Sequence, residues 1–106
     1  MNKDVAGQFI GRRVIARGET SGIFYGTLKE REGKECLLHD ARCLWYWEGA
    51  ADIIELAKSG VRYPEKCKFT VPIPWMALTD VVEILECEGD GIMSIERVKP
   101  WSAWKD

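Results

Sequence analysis

The sequence predicts an α+β fold: an antiparallel β-sheet of about five strands, opened by an N-terminal meander, with two short helices packed on it. Three observations carry this. Up to His39, β-branched and aromatic runs alternate with glycine-bearing polar turns, the pattern of hairpins. Two later stretches space their apolar residues as helices do. Val81–Cys87 is apolar on both faces, which predicts a central strand.

In chain order, residues 1–9 form a frayed or partly helical lead-in. Arg12–Arg17, with its Val14-Ile15 pair, is the first strand, and Ile23–Leu28 is the second. Between them Gly18-Glu19-Thr20-Ser21-Gly22 has turn chemistry. Glu30–Lys34 is a polar turn into a third strand, Cys36–His39, which Asp40 ends. Arg42–Trp47 is extended or irregular. Alternation sends Arg42, Leu44 and Tyr46 one way and Cys43, Trp45 and Trp47 the other. The first helix spans Ala50–Ser59, with Ala50, Ile53, Ile54 and Ala57 facing inward and Gly60 at its C-terminal stop. Trp45 and Trp47 then pack beneath this helix and Arg42 points outward.

Cys67–Trp75 alternates, with Cys67, Phe69, Val71, Ile73 and Trp75 on one face. Pro72 and Pro74 make it an edge or an irregular extended segment. Met76–Thr79 is a short turn. Asp90 caps a helix over Ile92–Arg97, which Pro100 ends. The tail, 99–106, carries Trp101 and Trp104 and is too aromatic for a free end, so it docks on this subunit or a neighbour.

At 106 residues the chain is one domain, 1–106, and five tryptophans make self-association plausible. With 46% hydrophobic and 30% charged residues it is not disordered. The net charge of −2 and the absence of a basic block argue against polymeric nucleic acid. They leave room for a small anion held by two or three arginines. The start lacks a signal-peptide pattern and nowhere is there a run of about 18 apolar residues. This predicts a soluble protein of the host cytoplasm, without a membrane partner and with reduced cysteines. Cys36, Cys43, Cys67 and Cys87 are too widely spaced for a metal site, and no cofactor or metal is expected.

Catalytic chemistry finds little support. His39 is the one histidine and has no partner at a spacing that forms a nucleophile–base pair. Gly18–Gly22 is neither a P-loop nor a dinucleotide fingerprint. Arginines are more informative, because their planar fork suits phosphates. Arg13 and Arg17 share a strand face with Ile15 between them, and Arg42 begins the aromatic segment. If that segment lies beside the first hairpin, these arginines converge near Trp45, Trp47 or Phe24. The opposing reading is that they are solvated or pair with Glu19, Glu30 and Glu32. Trp75, between Pro74 and Met76, suits a rim or an interface.

The hairpin, A-R-x-L-W-Y-W-x-G-A-A from Ala41, the short helix ending in glycine, P-I-P-W-x-A-L-T-D-V-V-E-I-L-E-C from Pro72 and the tryptophan tail together resemble small phage and prophage proteins, the type-1 anti-Thoeris sponges. The likeness runs from about Arg12 to Trp104. Those proteins sequester cyclic ADP-ribose-type signals made by bacterial TIR enzymes, and some also bind the cyclic oligonucleotides of CBASS defence. The resemblance implies a non-catalytic anti-defence protein, a homo-oligomer such as a hexamer, with its pocket between subunits. Carried over, Arg13 and Arg42 hold phosphates together with Arg97, Phe69 stacks on the adenine, and Thr79 or Asp80 reads the base edge. Asp80 departs from the expected polar reader, since a carboxylate accepts but cannot donate. Arg17 completes the candidate set. Under this reading Arg42→Ala keeps stability within about 1 kcal/mol. The alternative from another class is a structural or protein–protein adaptor that works through exposed Trp75, Trp101 and Trp104.

Overall fold

The structure is a computed structural model that describes residues 5–104. Residues 1–4 and 105–106, parts of the expected lead-in and tail, lie outside the described residues. After a 3-10 turn at Val5–Phe9, strands β1 (Arg13–Gly18), β2 (Ile23–Glu32) and β3 (Glu35–Tyr46) form the antiparallel meander. Helix α1 (Ile53–Ser59), a 3-10 turn at Pro64–Lys66, β4 (Lys68–Phe69), β5 (Ile73–Leu78), β6 (Val81–Glu86) and helix α2 (Gly89–Arg97) complete the chain order. The fold is α+β. Its six-stranded sheet runs β4-β3-β2-β1-β6, and β5 also pairs with β3. No helix among the described residues is long and apolar enough to cross a membrane.

The sheet cannot be flat. In pairing order β5 and β6 are separated by β3, β2 and β1, which in a plane puts them about 19 Å apart. Yet the link from Leu78 to Val81 is a two-residue turn, which spans at most about 11 Å. The sheet therefore curls toward a small half-open barrel. Its seam is tied by Val81 N–H to the Lys34 carbonyl at 3.0 Å. Inside the curl lie Val14, Ala16, Leu28, Leu38 and Ala41, all buried although no α-helix covers that face. The outer face carries Ile15, Tyr25, Leu44 and Phe69. There α1 and α2 supply Leu56, Ala57 and Ile95 to complete a second core. The two helices approach closely at Gly91, where a Cβ would sit 2.1 Å from the Ala57 carbonyl oxygen.

Several expected elements are corrected. The third strand does not stop at Asp40. It continues to Tyr46 through a bulge in which two residues of β3, Asp40 and Ala41, between the pairs His39↔Thr27 and Arg42↔Tyr25, oppose the single Gly26 of β2. Asp40 takes the left-handed conformation the bulge requires, at φ 51°. Opposite it, Gly26 leaves room: a Cβ there would lie 3.0 Å from the His39 carbonyl oxygen. Met76–Leu78 is strand, and the turn is Thr79-Asp80 alone. β6 pairs only with β1 and is an edge strand. Its two-sided apolar character arises because Ile84 packs on the inner core and Leu85 on the outer one. The extended run splits at 70–72. Cys67 and Phe69 are core, whereas Val71, Ile73 and Trp75 are exposed.

Helix α1 starts later than expected because Asp52 caps it, accepting from Glu55 N–H at 2.9 Å, while Glu55 accepts from Ala51 N–H at 2.8 Å. Its buried side chains are Leu56 and Ala57, and Ile54 is exposed. Helix α2 begins at Gly89, with Glu88 at the cap position and Asp90 inside the first turn.

Candidate functional site

The bulge at Asp40 decides which way the next residues of β3 face. It shifts the alternation so that Arg42 and Leu44 face the helices and Trp45 faces away. The expected orientation is thus reversed for Arg42 and Trp45. Arg42 is 6% exposed and Trp45 60%. Trp47 keeps its expected place, half-buried on the helix-side core with its indole N–H on the Ala50 carbonyl at 3.2 Å.

Arg42 is a buried cation held by carbonyl oxygens. Nε donates to Thr70 O at 2.8 Å, Nη1 to Ile95 O at 3.0 Å, and Nη2 to Val98 O at 2.9 Å and Phe69 O at 3.3 Å. These use four of the five N–H donors of a guanidinium. Two of the carbonyls end α2, where the helix is negative and a cation is favoured. The other two belong to the break between β4 and β5. One side chain thus fastens a helix end and an edge segment to the sheet. Burial pulls the Arg42 pKa down from its ordinary value, and the charge of Glu96 opposes this. The guanidinium also lies 5.6 Å from the centre of the Phe69 ring, which is wholly buried.

Beside it opens a cleft of about 290 Å³ lined by Arg13, Tyr25, Asp40, Arg42, Pro72 and Glu96 among others. Arg13 lies over the Tyr25 ring at 5.1 Å, pairs with Glu96 at 3.2 Å and donates to the Asp40 carbonyl at 3.2 Å. Tyr25 Oη donates to Glu96 at 2.7 Å. Burial, then that bond, pushes the phenol above its ordinary range, so it stays a neutral donor. The two cations of the cleft are matched by two carboxylates.

The remaining candidates lie elsewhere in this subunit. Arg17 pairs with Glu83 across β1 and β6 at 2.7 Å. Asp80 latches the Gly18–Gly22 turn: its carboxylate accepts from Ser21 Oγ at 2.6 Å, from Ser21 N–H and Thr20 N–H at 2.9 Å, and from Thr20 Oγ1 at 3.1 Å. Those bonds, the Ser21 hydroxyl first, hold it well below the usual carboxylate range. Thr79 is exposed beside it. Arg97 lines a separate shallow cleft with Arg62 and Asp90. Arg13 and Arg42 therefore converge, though beside Tyr25 and Phe69 and not near Trp45, Trp47 or Phe24, while Arg17, Thr79, Asp80 and Arg97 do not join them. His39 donates through Nδ1 to the Pro74 carbonyl at 2.7 Å and lies against Trp75 with ring centres 4.5 Å apart. Cys43, Cys67 and Cys87 are thiols; burial pushes the pKa of Cys43 and Cys67 up and that of Cys87 up to about 12. No group of three or more metal-ligating side chains clusters among the described residues.

A second feature is the aromatic margin beyond β4. The tail docks on this subunit: Trp101 N–H donates to the Phe69 carbonyl at 2.8 Å, and Trp101 bridges in parallel to Thr70. This sets Trp101 against Trp45, with ring centres 5.1 Å apart and planes 23° apart. Lys68 Nζ lies 5.4 and 5.5 Å from the two ring centres. Trp104, 89% exposed, forms with Trp101 and Val71 an apolar cleft of about 410 Å³. Sequence reasoning singled out Trp101 and Trp104 but placed Trp45 beneath the helix and passed over Lys68. The signal it lacked was the extra residue of the bulge, which decides the face on which Trp45 emerges.

Fold and surface together define a small α+β protein with a preformed aromatic face. The chain belongs to the family described as domain of unknown function (DUF6948), whose profile matches residues 11–95. No curated protein matches it.

Proposed function

We propose that this protein is a non-catalytic interaction module, an adaptor that docks another protein on its aromatic margin. The carrying observation is the Trp45–Trp101 stack with Trp104 beside it, held in place by backbone hydrogen bonds yet open to solvent. At about 250 Å² for a whole tryptophan side chain, the three present roughly 500 Å². That is at the upper end for the largest apolar patch of a monomer, where such patches mark interaction sites. Preformed rings also lower the ordering cost of binding. Trp75, with Ile73, adds exposed apolar surface along β5. We assign the protein to a reducing, cytoplasmic compartment on the same terms, since Cys43, Cys67 and Cys87 are thiols.

The test is quantitative co-purification from the cells that produce it, wild type against Trp104→Ala. A partner recovered near stoichiometrically with wild type, and at least about tenfold depleted with the variant, fits the loss of one hot-spot residue. Equal recovery with both proteins sinks the reading.

Sequestration of a cyclic nucleotide signal is the second reading. The observation that favours it is the cleft where Arg13 and Arg42 meet. An anion would have to compete there with Glu96 and Asp40, unless a second subunit completes the pocket. Mass spectrometry of the small molecules released by heat-denaturing the purified protein decides it. An intact cyclic nucleotide at stoichiometric yield would establish this function.

A further inference from the structure

We propose that the partner segment taken up by the aromatic margin is acidic and carries a large apolar or aromatic anchor. This rests on the interaction reading and adds the chemistry of the occupant. The cleft lined by Thr70, Val71, Trp101, Ser102, Ala103 and Trp104, about 410 Å³, is of small-ligand size. It takes one or two side chains, not a domain surface. Its walls are set before binding: Trp101 is tied to the Phe69 carbonyl, and Trp104 N–H donates to Ser102 Oγ at 3.0 Å. An apolar anchor inserted between indoles in this way is a typical hot-spot arrangement.

A cation is set at the margin of the cleft. Lys68 sits over the Trp45–Trp101 stack. Lys66, whose Nζ lies 5.4 Å from the Tyr63 ring centre, and Lys99 are exposed and lie within two residues of Lys68 and Trp101 in sequence. Of the neighbouring acids, Glu48 is engaged by the Tyr46 hydroxyl at 2.8 Å, and Glu65 is exposed. The chain as a whole carries a net charge of −2, so these lysines are a local departure. A rim charge steers a partner of opposite sign and rejects one of like sign. A second copy docked about a two-fold axis would set these lysines against themselves. A single-stranded nucleic acid offers negative charge and stacking bases. It needs a track of cations along its backbone, however, whereas this cleft is apolar and its cation sits at the margin.

The experiment uses fluorescence anisotropy with three labelled probes. One is a short peptide rich in Asp and Glu around a Trp and a Leu. The second is its twin with Lys at every acidic position. The third is a single-stranded oligothymidine. The expected result is that the acidic peptide binds at least about tenfold tighter than its twin and weakens severalfold as salt rises past a Debye length of about 10 Å. Trp104→Ala lowers that affinity by about tenfold or more, and Lys68→Gln severalfold. Lys34→Gln, at the distant β2–β3 turn, leaves it unchanged.

Equal binding of the twin overturns the charge inference and leaves the interaction reading standing. Tighter binding of the oligothymidine overturns the inference in favour of nucleic acid. Self-association in sedimentation equilibrium, lost in Trp104→Ala, overturns it in favour of a second copy. No peptide binding up to about 1 mM, weaker than about −4.1 kcal/mol, also overturns it. If co-purification is then indifferent to Trp104, the interaction reading falls as well.

Discussion

Replacing Arg42 with alanine should destabilise the fold severely. The side chain is 6% exposed and donates to four main-chain carbonyls from two separate segments. A hydrogen bond to a charged group contributes about 1.5–3 kcal/mol, and a buried polar atom left without a partner costs about 1–3 kcal/mol. Four such terms do not add, because the bonds share one donor group and the adjoining cleft can admit water to some of the carbonyls. A loss of about 3–5 kcal/mol is the expected outcome, large beside a total stability of about 5–15 kcal/mol. Arg42→Lys keeps the charge, but its single ammonium lacks the fork that reaches both the end of α2 and the β4–β5 break. It should lose about half as much. Urea unfolding followed by circular dichroism measures both, and hydrogen exchange should show the last turn of α2 opening first in the lysine variant. Arg42→Ala within about 1 kcal/mol of wild type would refute the reasoning and restore Arg42 as a surface residue.

Gly91→Ala should cost about 1–3 kcal/mol in the same unfolding assay, because the new methyl meets the Ala57 carbonyl at 2.1 Å and must force α1 and α2 apart. The Asp80 carboxylate has a folded pKa below its unfolded value near 3.9. Its stabilisation is therefore present above that value and lost as pH falls below about 4. Asp80→Asn should lower Tm at neutral pH and flatten the acid limb of a Tm–pH profile; an unchanged acid limb would discount the latch. Cys87 has the opposite sign. Its pKa rises from 9.0 to about 12 on folding, so its contribution is intact below 9.0 and is lost as pH rises toward 12. The native thiol should resist a disulfide reagent at mildly alkaline pH and react fully in denaturant, and rapid native labelling at Cys87 would contradict its burial.

Much of the architecture was legible because hydrophobic period and turn chemistry are local. The meander, the amphipathic α1 with Gly60 at its end and the edge character of the 67–75 run come from adjacent residues alone. What failed were properties set by distant partners. β6 looks central because both its faces are apolar, yet what covers those faces is the curl on one side and the helices on the other. Asp40 looks like a strand breaker because nothing local shows that Gly26 will make room for a bulge. That one residue produces the two largest errors about the site, Arg42 outward and Trp45 inward. Arg13 and Arg42 were correctly brought together because their strands flank β2. Asp80 and Arg17 were assigned to ligand, although each has a nearby partner in the fold, in Ser21 and Glu83.

If the aromatic margin is the working surface, what the protein binds must depend on Trp104. The deciding measurement is the amount of bound partner recovered with wild type and with Trp104→Ala, from cells holding equal amounts of each folded protein. Trp104 is 89% exposed, so its loss should leave Tm unchanged. We expect a partner near stoichiometric with wild type and at least about tenfold depleted with the variant. Undiminished recovery with Trp104→Ala, or a cyclic nucleotide released in place of a protein, would contradict the assignment.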